Sequence, residues 1–194
     1  MSTVIAVTGG SCSGKTTFAE AAASHYPDLF WVAREAARVL IEQQRIDQTT
    51  LTAEGRRQLQ LQIFALQRKL EGSAPTGKII LADRATIDGA AYWPGGPDDF
   101  WLATGSRHDQ ELSRYHGAIW LESAAAVGNY SPNSVRPESG EESLDLGTKI
   151  QALWMKHPRL YIITAAANFS DKASAFYRAL FALAGPLVDF SPLL

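Results

Sequence analysis

Hydrophobic positions along the chain follow two spacings in turn. Short β-rich apolar runs recur at residues 3–8, 29–33, 78–82, 117–121 and 159–164, and most of the intervals between them carry helical periodicity. Strands that alternate with helices predict an α/β fold of three layers, a parallel sheet with helices on both faces. Around residues 34–44, Ala37, Leu40 and Ile41 form the inward face of one helix. Leu59, Ile63, Leu66 and Leu70, spaced by four, three and four, mark the apolar stripe of the next. Ser139-Gly-Glu-Glu142 reads as a capping box that starts a helix continued by Leu146, Ile150 and Leu153. A last helix over residues 171–183 turns Phe176, Leu180 and Leu183 to one side.

Two stretches interrupt this order. Residues 92–107 combine Pro and Gly turn formers with Trp93, Phe100 and Trp101, and residues 128–140 are polar, proline-bearing and long for a connection. Both are expected to be substrate-facing or closing loops, the second a lid. Alternatively the aromatics anchor their loop to the core.

Composition narrows the class. A chain of 194 residues with 46% hydrophobic positions suits one domain, residues 1–194, with one substantial core. Its formal net charge of -2 supplies no basic field for nucleic acid. Cys12 is the only cysteine, which excludes an internal disulfide framework and points to a reducing, cytoplasmic setting. The first residues lack the pattern of a leader, and no apolar run approaches the roughly 20 residues of a membrane span. The four histidines, His25, His108, His116 and His157, are scattered without metal-ligand spacing and are assigned to surface or turn positions.

The chemistry is announced directly after the first apolar run. Gly9-Gly-Ser-Cys-Ser-Gly-Lys-Thr-Thr17 contains the phosphate-binding pattern G-x-x-x-x-G-K-[ST], between a strand and a helix. A triphosphate needs many donors in little space. Backbone N–H groups of Gly9, Gly10, Ser11, Cys12, Ser13 and Gly14 can surround the β-phosphate, and the following helix adds the positive end of its dipole. Lys15 would reach the β- and γ-phosphates, Thr16 would ligate Mg²⁺, and Thr17 would touch the α-phosphate. A glycine turn that merely contains a lysine is the bland alternative, and the strand-to-helix context weighs against it.

Lys78-Ile-Ile-Leu-Ala-Asp83 is an apolar strand ending in an acid, followed by Arg84. In open parallel sheets ligands collect at the carboxyl ends of strands, so Asp83 can face Thr16 across Mg²⁺. Asp83 has a second possible role, as the base that takes the proton of an acceptor hydroxyl. Arg34-Glu-Ala-Ala-Arg38 opens the helix after the second strand. Glu35 and Arg38 share a helix face there, as a surface ion pair or as acceptor contacts.

Gly9 to Thr16, Arg34 to Arg38, Ala82-Asp-Arg84 with Asp88 and Tyr92 behind it, and Val135-Arg-Pro-Glu138 occur in one order. Together they resemble a family of small AAA-like P-loop ATPases or kinases, related to the ribosylnicotinamide kinase domain and more distantly to nucleoside and nucleotide kinases. The resemblance implies a P-loop NTPase fold with a five-stranded parallel sheet, ATP with Mg²⁺ as cofactors, and a small hydroxyl-bearing molecule as phosphate acceptor. It makes Lys15, Asp83 and Arg84 catalytic, Arg136 a lid arginine, and Glu35, Arg38 and Asp88 acceptor residues. Trp93 and Trp101 are expected over a ring-bearing, nucleoside-like acceptor, and adenine is expected along the backbone of residues 164–169. The competing function is an ATP-hydrolysing switch, for which Arg84, Arg114 or Arg136 would supply the charge that hydrolysis needs.

Overall fold

Apolar runs buried on both faces form the centre of a parallel sheet. Strands β1 (Thr3–Gly9), β2 (Phe30–Ala33), β3 (Ile79–Asp83), β4 (Gly117–Leu121) and β5 (Leu160–Ile163) lie in the order β2-β3-β1-β4-β5. The buried β1, β3 and β4 make that centre here, and the half-buried β2 and partly exposed β5 complete the sheet at its edges. The structure is a computed structural model, and it describes residues 3–128, 139–166 and 168–187. Among the described residues, seven α-helices lie between the strands, α1 (Lys15–His25), α2 (Ala36–Gln44), α3 (Ala53–Gly72), α4 (Gly89–Tyr92), α5 (Pro97–Thr104), α6 (His108–Ser113) and α7 (Gly140–Trp154), and α8 (Phe169–Ala184) follows β5.

Alternation along each strand assigns the two cores. Ile5, Val7, Ile79, Leu81, Ile119 and Leu121 face α1 and α8, where Phe18, Ala19, Phe176 and Leu180 close over them. Val4, Ala6, Ile80, Ala82, Ala118 and Trp120 face the other way, against Ile150 and Trp154 of α7 and Tyr115. Small Ala6, Ala82 and Ala118 leave on that face the volume that Trp154 and Tyr115 occupy, as close packing requires. The register sets Val7 beside Asp83 and Gly9 beside Leu121, so the strands end together at one edge. The order reverses on either side of β1, which makes its carboxyl end the switch point where ligands gather in such sheets.

The five expected strands and the helices around residues 34–44, 59–70, 139–153 and 171–183 are present. Three details differ. The deeply buried residues of α3 are Leu59, Phe64, Gln67 and Glu71, so its inner face is partly polar rather than the stripe Leu59-Ile63-Leu66-Leu70. Residues 97–104 are not a loop but a helix, with Pro97 in its first turn and Asp98 and Asp99 near the positive end of its dipole. His157 stands at a turn yet is buried. Its Nδ1 accepts from the Arg159 N–H at 3.1 Å, which leaves the proton on Nε2 to face the Tyr115 carbonyl at 3.0 Å. No helix among the described residues is long and apolar enough to cross a membrane.

The capping box that begins α7 is formed as the sequence requires. The Ser139 hydroxyl accepts from the Glu142 N–H at 3.2 Å, and the Glu142 carboxylate accepts from the Ser139 N–H at 2.7 Å.

Candidate functional site

The loop between β1 and α1 takes its shape from two glycines and one left-handed cysteine. Gly9 has φ +125°, and a Cβ at this position would stand 2.0 Å from the Leu121 carbonyl oxygen. Gly14 caps α1 at φ +92°, and Cys12 turns the chain at φ +53°. Backbone that passes through left-handed residues in this way forms a concavity of N–H groups suited to an anion. The outer side of the loop is fastened. Ser123 Oγ donates to the Ser11 carbonyl at 2.6 Å, Ser143 Oγ to the same carbonyl at 3.3 Å, and the Ala124 N–H to the Cys12 carbonyl at 3.2 Å. Lys15 is buried and folds back, its Nζ donating to the Gly10 carbonyl at 2.6 Å and to Ser13 Oγ at 3.1 Å. Residues 12–17 together line a hollow of about 240 Å³.

Thr16 and Asp83 meet, as the motif spacing implied. The Thr16 hydroxyl donates to Asp83 Oδ2 at 2.6 Å. Asp83 Oδ1 is buried without a hydrogen-bond partner among the described residues, the kind of orphan oxygen that a cation satisfies. Burial raises the Asp83 pKa, as does the charge of Glu35, while the Thr16 hydroxyl and Lys15 oppose the shift. A hydroxyl and a lone carboxylate beside a phosphate loop fit Mg²⁺, which takes hard oxygens and leaves most of its positions to phosphate and water. Thr16 and Asp83 are the residues that would hold it.

Arg84 begins a second assembly. Its backbone is left-handed, φ +69°, and its N–H donates to the Val7 carbonyl at 3.0 Å. The side chain is buried, with Nε donating to Glu35 Oε1 at 2.8 Å and Nη1 to the Gly9 carbonyl at 3.2 Å. Nη1 also lies 3.9 Å from Asp88 Oδ2, and the guanidinium sits 5.5 Å from the Tyr92 ring centre. Burial works against the charge, but the field of Tyr92, Glu35 and Asp88 outweighs it and holds the pKa far above its ordinary value. Asp88 is fully engaged, Oδ2 accepting from the Thr8 hydroxyl at 2.6 Å and Oδ1 from the Trp154 indole at 2.9 Å. It braces β1, α7 and Arg84.

A cavity of about 70 Å³ opens beside this assembly, between α2, α3 and α4, with Glu35, Arg84, Asp88, Tyr92, Gln60 and Gln67 on its walls. Arg38 pairs with Glu42 at 3.6 Å rather than with Glu35, and it borders a second cleft that it shares with Glu35, Thr16, Arg34 and Asp83. Trp93 and Trp101 do not line the cavity beside Arg84. Trp93 is buried, donates its indole N–H to Asp99 at 2.7 Å and packs against Phe100, while Trp101 stacks on His108 at 5.4 Å. Both serve to seat α5. Arg114 is held by Glu71 and Glu111, each at 2.6 Å, and so stands apart from the phosphate loop. Arg136 and most of the expected lid lie outside the described residues.

On the far side of the loop, Cys12, Ser13, Gly14, Ala124, Ala165 and Phe169 surround a cavity of about 220 Å³ with Lys172 at its wall. This hollow adjoins the backbone expected for adenine. Lys172 Nζ donates to the Glu122 carbonyl at 2.6 Å, and burial lowers its pKa to about 8 against the opposing charge of Glu122. Sequence reasoning missed Gln60, Gln67 and Lys172. Gln60 and Gln67 are seven residues apart, two helical turns on one face, which was a readable signal.

Comparison with known proteins agrees with this architecture. The sequence matches the family model for an AAA domain over residues 4–172. Two solved structures share the fold: a NadR protein in complex with NAD and AMP-PNP, at TM-score 0.63 and 18% identity, and a NadR protein in complex with NR, at TM-score 0.59 and 20% identity. Each alignment covers 95% of this chain and 50% of the other, so the chain spans about half the length of those structures. No curated protein matches the sequence. With the family match running from the first strand into the last helix, and the phosphate loop, Thr16 and Asp83 assembled at the switch point inside it, the chain belongs to the AAA domain family of P-loop folds.

Proposed function

We propose that the protein is an ATP-dependent phosphotransferase, which moves the γ-phosphoryl group of Mg-ATP to a hydroxyl of a small, nucleoside-like acceptor. The observation that carries this reading is the 2.6 Å contact between Thr16 and Asp83 beside the phosphate loop, with the next residue, Arg84, on the wall of a cavity that also presents Glu35 and Asp88. A hydrolysing switch requires only the first of these. The second gives an acceptor somewhere to bind. The NadR structures, which hold NAD with AMP-PNP or NR, lend support to a nucleotide donor and a nucleoside-like partner on this fold.

Phosphoryl transfer asks for alignment, neutralised charge and exclusion of water. Lys15 would exchange its bonds to Gly10 and Ser13 for phosphate oxygens, which places its charge on the transferring group. Bound Mg²⁺ would supply charge neutralisation between the phosphates. Thr16 and Asp83 are the residues that would hold it, and Asp83 engaged in that way would act as a ligand rather than as a base. Glu35, Arg84 and Tyr92 would orient the acceptor from the cavity wall. The adenine would occupy the hollow bounded by Ala165, Phe169 and Lys172.

The deciding experiment incubates the protein with γ-labelled ATP, Mg²⁺ and a panel of nucleosides and other small hydroxyl compounds. A labelled organic product supports the phosphotransferase. Label recovered only as free phosphate against every acceptor overturns it in favour of the hydrolysing switch.

A further inference from the structure

The Arg84 assembly is held from behind by one buried carboxamide. Gln67 of α3 is 2% exposed. Its Oε1 accepts from the N–H of Ala36 at 3.2 Å, the first residue of α2 and the neighbour of Glu35. Its Nε2 donates to the Arg84 carbonyl at 3.2 Å and to Glu71 Oε1 at 3.3 Å. The amide can face only one way, because the Ala36 backbone N–H offers a donor there and the Arg84 carbonyl offers an acceptor. A non-glycine residue keeps a left-handed backbone only where its surroundings over-determine it. For Arg84 the N–H is fixed by Val7 and the side chain by Glu35, and Gln67 supplies the hold on the carbonyl.

We infer that Gln67 is a positioning residue of the acceptor site, tying the start of α2, which carries Glu35, to the strained backbone that presents Arg84. Two walls of one cavity thereby keep a fixed spacing, although they come from segments 49 residues apart in sequence. For its effect on turnover the inference rests on the phosphotransfer reading. The linkage itself can be measured without catalysis.

The test uses the full chain labelled for NMR, with Gln67→Met, which removes the donor and the acceptor, and Gln67→Asn, which keeps them but shortens their reach. Hydrogen exchange is followed at the Ala36 amide, at Arg84 Nε–H and at amides inside α1, and Mg-ATP affinity is measured by calorimetry. Both variants are expected to exchange about tenfold faster at Ala36 and Arg84, the loss that one hydrogen bond of ordinary strength implies. The α1 amides and the Mg-ATP Kd should stay within about threefold of the parent, while transfer to any acceptor found in the panel falls through kcat or the acceptor KM. Unchanged exchange at both positions in either folded variant overturns the inference. So does loosening of α1 and loss of Mg-ATP affinity in step with the corner, since that pattern describes general packing. If the parent protein transfers label to no acceptor, the phosphotransfer reading fails, yet the exchange rates still decide the role of Gln67. Gln67→Asn keeps the test decisive should Gln67→Met fail to fold.

Discussion

The phosphate loop and the Arg84 corner share one edge of the sheet, and they are built in opposite ways. The loop is nine consecutive residues whose chemistry resides in backbone conformation and one lysine. The corner gathers Thr8, Glu35, Gln67, Arg84, Asp88 and Trp154 from both halves of the chain, and its chemistry resides in buried side chains that satisfy one another. A donor common to many reactions can be met by a portable local device. An acceptor particular to one reaction, as the proposed phosphotransfer requires, would have to be met by tertiary structure.

That contrast can be broken at several points, the largest effect coming first. Arg84→Met leaves the carboxylates of Glu35 and Asp88 buried without their cation, and should cost about 3–5 kcal/mol in denaturant unfolding. A loss below about 1 kcal/mol would show that the corner is not one electrostatic unit. Lys15→Ala should fold normally and turn over more than about 100-fold slower, because a preorganised charge on the transferring group contributes several kcal/mol to the barrier. Unchanged turnover would remove Lys15 from the mechanism. Trp93→Phe gives up the bond to Asp99 and should cost about 1 kcal/mol of stability, with the acceptor KM unmoved. A large KM change would return Trp93 to the acceptor site.

A further effect, confined to alkaline pH, is a pH dependence at Lys172. Its folded pKa of about 8 lies below the ordinary 10.5, so between those values the unfolded chain holds a proton that the folded one has released. Stability from this group therefore rises as pH climbs from about 8 towards 10.5. Lys172→Met should flatten that rise relative to the parent protein when unfolding is followed across the same range.

How far the sequence could be read follows the same division. Strands, the phosphate loop, Asp83 and the α7 capping box depend on neighbours within a few residues, and each appears where the pattern sets it. The interior of α3 was legible only as an apolar stripe, because Gln67 and Glu71 are buried by partners 17 and more residues away. Nothing local reveals that Thr8 and Trp154 use both oxygens of Asp88, which stands on the cavity wall. Loop composition leaves Trp93 and Trp101 open between a ligand and the core, and a first-turn proline with two aspartates is the local sign of the helix they pack.

Gly9 is usually credited to the nucleotide, but its contact with the Leu121 carbonyl assigns it a different creditor. A methyl group there would wedge apart two central strands before any phosphate arrived. An alanine at this site is thus a lesion of the scaffold, and a chain that had abandoned nucleotides altogether would still be obliged to keep this glycine.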